Sequence, residues 1–164
     1  IDSGMVEESR FLRLVLEKAI IELACERAAT LDFSVAEANV KLQQFYINNQ
    51  LTEKLLELDN DFHREFFRLT NRMQTYYLQE SMALHFDRVR SLSLNAVRDI
   101  KLVADHEAIL NSVRAGNTQE AVALVEKHLN RYKVDEQAIR EGHDDYFKPD
   151  MPEPREPAVI YPRR

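Results

Sequence analysis

The first 148 residues of this 164-residue chain contain no proline and only 3 glycines, Gly4, Gly116 and Gly142. A sheet protein of this size needs a tight turn every ten residues or so, and those turns draw on Gly, Pro, Asn and Asp. Without them the chain has one economical way to organise itself, as long helices joined by short connections. The sequence therefore predicts an all-α fold, an antiparallel bundle of six or seven helices.

Apolar residues recur at helical spacing throughout. Residues 9–30 carry two stripes, Leu12, Val15, Leu16, Ala19, Ile20 and Leu23 on one side, and Phe11, Leu14, Ile21 and Cys25 on another. A helix apolar on two faces is central or shared with a partner subunit. Residues 34–49 follow, with Ser34 and Glu37 in a capping-box pattern and Val35, Ala38, Leu42 and Phe45 expected inward. Further helices are expected over 52–70, from Asn71 to about Asn95, and from Arg98 to Ala115. Gly116 ends that last one, and Asn117, with Glu120 three residues on, caps a final helix reaching to about Gly142. All 5 prolines lie beyond residue 148, so residues 147–164 read as an extended or disordered tail. The division expected is a remnant or linker over 1–8, a helical domain over 9–146 and the tail. The opening Ile-Asp-Ser-Gly-Met suggests a piece of something longer.

Composition excludes some functions. The net charge is −6 and the 22 basic residues form no dense run, which suits no phosphate-gripping surface. No stretch is long and apolar enough to span a membrane, and a lone cysteine, Cys25, suits a packed position in a reducing, cytoplasmic setting.

Four polar residues stand where apolar ones belong. In 52–70, Leu55, Leu58, Phe62, Phe66 and Leu69 define an apolar arc that Leu56 and Phe67 widen, and Asp59 and His63 fall inside it, one turn apart. Lys54, Glu57, Asp61, Arg64, Glu65 and Arg68 take the opposite face. His106 lies centrally among Leu102, Val103, Ile109, Leu110 and Val113; His128 lies among Ala121, Leu124, Val125 and Tyr132. His106 precedes Gly116 by 10 residues and His128 follows Asn117 by 11. In an antiparallel pair both histidines therefore sit about 16 Å from the turn, at one level of the core. A buried carboxylate needs a pairing group or a cation. Three imidazoles and a carboxylate suit a divalent ion such as zinc, nickel, manganese or iron, and they equally suit a hydrogen-bonded polar core. His85 shares an apolar face with Leu78, Met82, Val89 and Leu92, and His143 is expected at the surface.

These residues resemble a known pattern. Asp59-Asn60-Asp61-Phe62-His63 with Asn71 downstream, Asp105-His106-Glu107-Ala108-Ile109-Leu110, the Ala115-Gly116-Asn117 turn, and Glu120-Ala121 with His128-Leu129 are, in this order, similar to the FCD domain, the C-terminal effector-binding domain of FadR-type GntR-family transcriptional regulators. The resemblance covers residues 8–147, with Asn117 where Asp is frequent. It implies a six- or seven-helix bundle holding a divalent metal, zinc the leading candidate, through Asp59, His63, His106 and His128. It also implies a small organic-acid effector beside the metal, a homodimer, and operator DNA bound only through an N-terminal winged-helix domain that this sequence does not contain. Arg13 and Arg88 are the arginines expected to hold the effector carboxylate; His85 is expected as an effector contact or a core histidine rather than a further metal ligand, and Arg90 to project towards another face. Two other functions compete with this regulatory, non-enzymatic one. One is a metal-dependent hydrolase or other metalloenzyme using metal-bound water. The other is a plain helical interaction module with satisfied core histidines.

Overall fold

A computed structural model describes residues 1–96, 100–130, 139, 141, 142 and 144–147. Among these the chain forms seven α-helices: α1 Ser3–Glu26, α2 Ser34–Asn48, α3 Leu55–Leu69, α4 Met73–Ser81, α5 Leu84–Ala96, α6 Ile100–Arg114 and α7 Thr118–Asn130. Short 3-10 turns occupy Ala28–Thr30, Thr52–Lys54 and Asp144–Tyr146, and no strand occurs among the described residues. The all-α bundle expected from the sequence is the fold observed. Residues 131–138 and 140 of the last expected helix, Arg98, His143 and the tail from 148 onward lie outside the described residues.

Three helices end in the same way. Gly116 has φ 67°, Asn71 φ 59° and Gln50 φ 59°. In each case the residue's N–H bonds three residues back and the next N–H bonds five back, as in Gly116 N to Val113 O at 2.9 Å and Asn117 N to Ser112 O at 2.9 Å. This motif satisfies the last carbonyls of a helix. Asn117 then opens α7: its Oδ1 accepts from Glu120 N at 3.4 Å and its amide donates to Glu120 Oε2 at 2.8 Å. The cap expected at Ser34 is instead made by Asp32, whose Oδ1 accepts from Ser34 N at 2.9 Å.

α1 packs along α7 and α5, α2 along α3 and α6, and α6 along α7. The main core runs from Ile20, Ile21 and Ala24 through Phe62, Phe66 and Phe67 to Ile109, Val113 and Val125, with Cys25 buried in it as expected. A smaller cluster joins Val6, Phe86, Val89, Ile139 and Phe147. Phe147 therefore belongs to the packed part of the chain rather than to the tail.

Four expectations need correction. First, α1 begins at Ser3 rather than Ser9, because Asp2 Oδ1 accepts from Met5 N and starts the helix early. Second, the face of α2 thought to point inward is exposed: Val35 by 53%, Leu42 by 43% and Phe45 by 55%, with Ala38 exposed too. The buried line is Ala36, Val40 and Gln43. Third, the long helix expected over 71–95 is two. At Met82 and Ala83 the N–H groups bond only three residues back, to Gln79 O at 3.2 Å and Glu80 O at 3.0 Å, and Ser81 Oγ takes Leu78 O. The tightened backbone breaks the face that was to run from Leu78 to Leu92: Leu78 is exposed by 59%, while Val89 is buried as expected and Phe86 is buried beside it. Fourth, Glu65 is buried rather than solvated, held by Arg68.

Candidate metal centre

Each of the four inward polar residues is carried by a helix whose other inward residues are mostly apolar. Asp59 and His63 stand one turn apart on α3, His106 on α6 and His128 on α7. The turn at Gly116 brings the last two level, as their distances from it require. Their ligating atoms all lie within 4.8 Å of one another. His128 Nε2 is 3.2 Å from both His63 Nε2 and His106 Nε2. Asp59 Oδ1 is 3.3 Å from His106 Nε2 and 3.8 Å from the other two.

The opposite edge of every ring is tied down. His63 Nδ1 lies 2.5 Å from Glu17 Oε2 on α1, and His128 Nδ1 lies 3.3 Å from Asp105 Oδ2 on α6. His106 Nδ1 lies 2.8 Å from Gln43 Oε1 on α2. The Gln43 amide is oriented by its nitrogen, which donates to Asn39 Oδ1 and to the Leu58 carbonyl, so its oxygen faces His106. A carboxylate or amide oxygen accepts only, so each imidazole carries its hydrogen on Nδ1 and presents a bare Nε2 lone pair inward. Burial pushes His63 and His128 down to about 4 and His106 well below the usual imidazole range, so all three rings are neutral at pH 7. The Nε2–Nε2 approaches at 3.2 Å therefore join acceptor to acceptor. Such a set, together with a carboxylate oxygen, repels itself unless a cation lies between, and it has the donor chemistry of a borderline divalent metal. Phe62, stacked on His106 with ring centroids 4.1 Å apart, fixes that ring's plane.

Arginines hold the outer oxygen of Asp59. Arg90 Nη2 bonds Asp59 Oδ2, while its Nη1 donates to Asn60 Oδ1 at 2.7 Å and Asp87 Oδ1 at 2.6 Å. Arg13 Nη2 is 3.7 Å from the same Asp59 oxygen, and Arg13 Nε donates to Glu17 Oε1 at 2.6 Å. Burial alone would raise the Glu17 carboxyl, but Arg13 and His63 together outweigh it and hold the group below the usual carboxylate range. Both guanidinium carbons lie within 6 Å of the Phe86 ring centroid, at 5.9 and 5.7 Å.

Beside His63 the helices leave a hollow lined by Arg13, Tyr76, Gln79, Asp87 and Arg90 among others. It holds about 380 Å3 including its open mouth, of which about 30 Å3 is open to the centres of water-sized groups.

Arg13, an arginine expected to hold an effector, lies next to the cluster. Arg88 does not: it is exposed and lines a separate hollow with Ile1, Ser91, Leu92 and Tyr146. His85 is half-buried and its Nδ1 accepts from Asp2 N at 3.3 Å, at the start of α1. The break between α4 and α5 rotates α5 so that Arg90, expected on another face, is the arginine that reaches the site. Glu17, Gln43, Asp105 and Gln79 were also missed. Gln43 could have been found as a polar residue continuing the buried line of α2, had the exposed apolar stripe not defined that face instead, and Glu17 as a polar residue one turn before the buried Ile20 and Ile21.

Residues 8–131 match the family model described as the FCD domain. Over 148 residues the chain is 22% identical to the HTH-type transcriptional repressor RspR of Escherichia coli (strain K12), covering 90% of this chain and 65% of that protein. The same identity and coverage hold for the uncharacterized HTH-type transcriptional regulator YdfH of Shigella flexneri. The chain thus spans just under two thirds of the length of the curated relatives it matches, 65%. No helix among the described residues is long and apolar enough to cross a membrane.

Proposed function

The chain belongs to the FCD domain family, and from that premise we propose that it is the ligand-sensing, dimerising part of a GntR/FadR-type transcriptional regulator. It holds one divalent metal, zinc foremost, through Asp59 Oδ1 and the Nε2 atoms of His63, His106 and His128. A small carboxylate effector enters the hollow beside His63 and meets Arg13 and Arg90, which supply planar, bidentate donors for a carboxylate. Operator DNA is bound by a winged-helix part outside this chain. The HTH-type relatives support that last step, and so does this chain's net charge of −6, which does not favour a phosphate-gripping surface.

The observation that carries the metal reading is the proton arrangement. Three buried imidazoles each donate from Nδ1 to an acceptor and turn three lone pairs and a carboxylate oxygen onto one point. When bound, the metal would supply positive charge to an effector carboxylate. The protein's own residues orient the donors and place the arginines. The two carboxylates flanking the cluster, Glu17 and Asp105, are engaged by His63 and His128. That favours an orienting role for them over service as a general base, and no catalytic residue is assigned.

Elemental analysis and calorimetric zinc titration of the purified chain test this directly. The expected result is one metal per chain, abolished or weakened at least a hundredfold in His106→Ala and His128→Ala. Metal-free wild-type protein that takes up no divalent ion would end the reading.

A further inference from the structure

Glu17 on α1 is buried, and its two oxygens serve two different parts of the molecule. Oε2 accepts from His63 Nδ1 at 2.5 Å and so holds the ring whose Nε2 faces the other donors. Oε1 accepts from Arg13 Nε at 2.6 Å, and Arg13 lines the hollow. Gln79 Nε2 donates to the same Oε1 at 3.2 Å, so the carboxylate keeps a partner on that side when Arg13 turns away. A carboxylate whose charge is drawn to a guanidinium is a poorer acceptor for an imidazole. An imidazole held less firmly at Nδ1 is in turn a weaker donor to a metal at Nε2. Arg13 and His63 are therefore rivals for Glu17.

We propose that Glu17 is a positioning residue that couples the hollow to the metal centre: Arg13 restrains the metal through it, and drawing Arg13 off Glu17 tightens the hold of His63. Arg13 has one other route to the donors, from Nη2 to Asp59 Oδ2 at 3.7 Å, but Arg90 already bonds that oxygen. The short path through Glu17 therefore carries the larger effect. An anion that engages Arg13 in the hollow acts as loss of the guanidinium would, and such coupling is reciprocal, so a held metal favours the anion by the same factor. This rests on the metal reading above and adds a means of regulation to it. Removing the guanidinium stands in for its withdrawal, so the test needs no knowledge of the anion.

The test is a double-substitution cycle on the zinc affinity of the full chain, read by competition with a chromophoric chelator. Arg13→Met, which keeps much of the length and removes the guanidinium, should tighten zinc roughly fivefold to tenfold, the scale of one net hydrogen bond. A residue that only props the site would weaken it when lost, so a gain is the outcome peculiar to coupling. Glu17→Gln leaves one acceptor oxygen where Arg13 and His63 need two, and should weaken zinc roughly 10- to 100-fold. In the Glu17→Gln background, Arg13→Met should change zinc affinity by less than about twofold, because the path between them is cut. Arg13→Gln takes its place in both backgrounds if Arg13→Met fails to give a folded thermal transition. An equal gain with and without Glu17 would mean that Arg13 acts on the metal through space, and would overturn this inference alone. So would unchanged or weaker zinc binding on loss of the guanidinium from the otherwise wild-type chain. Failure of the wild-type chain to take up zinc at all would overturn the metal reading as well.

Discussion

At the scale of the single residue, the site is decided by where protons sit. An imidazole can coordinate through Nε2 only when its hydrogen is on Nδ1, and the partner of Nδ1 settles that. For His63 and His128 the partner is a carboxylate, which leaves no choice. For His106 it is the neutral amide of Gln43, 2.8 Å away and oriented by the Leu58 carbonyl. Gln43→Leu keeps the volume and removes the acceptor, so His106 is free to move its hydrogen to Nε2 and turn a lone pair away from the cluster. Zinc affinity should fall by roughly 10- to 100-fold, the usual cost of losing a group that orients a ligand, as read by competition with a chromophoric chelator. An unchanged affinity would mean that Gln43 serves only to pack α2 on α3. Asp59 shows the same division of labour, with Oδ2 held by Arg13 and Arg90 and Oδ1 left to the histidines.

At the scale of the element, the α6–α7 hairpin is what makes two distant histidines neighbours, and its turn depends on one backbone angle. Gly116 sits at φ 67°, and a Cβ there would meet Cys25 O at 3.6 Å, an ordinary contact. The cost of a side chain is therefore conformational. Gly116→Ala should destabilise the protein by about 1–2 kcal/mol in urea unfolding, and Gly116→Asn by less, because Asn tolerates the left-handed region. Equal losses for the two would point to crowding and not to the angle. This turn was legible in the sequence, as were Asp59 and His63 inside the arc of α3, because there apolar residues outnumber polar ones on the buried side. The face of α2 was not. Its apolar stripe of Val35, Ala38, Leu42 and Phe45 is exposed, while Gln43 is buried and fully bonded. Periodicity assumes that apolar residues mark the inside, and next to a polar site that assumption inverts. The break between α4 and α5 was hidden for another reason. It is made by three-residue-back hydrogen bonds at Met82 and Ala83 with no glycine or proline to announce it, and the choice of Arg88 over Arg90 followed from that one missed bend.

At the scale of the whole molecule, each of the seven helices α1 to α7 contributes to the site. α3, α6 and α7 bring the four donors, α1 brings Glu17 and Arg13, α2 brings Gln43, α4 brings Gln79 and α5 brings Arg90. A cation held there ties three helices together and exists only in the folded state, so its binding energy adds to folding stability. With free zinc at a hundred times its Kd, the gain is about 2.7 kcal/mol. For a chain of this size each kcal/mol moves Tm by roughly 2–4 °C, so chelation should lower Tm by about 5–10 °C relative to zinc-saturated protein. The same scan on His106→Ala should give one transition, indifferent to zinc or chelator, because the donor set is broken. Gln43→Leu should fall between, its Tm recovering only at higher zinc, because it weakens the site without removing a donor. If wild-type protein binds zinc in titration yet unfolds at the same temperature with and without it, the ion is held elsewhere, on a surface that survives unfolding, and the convergence of the three histidines on Asp59 would be a hydrogen-bonded core and nothing more.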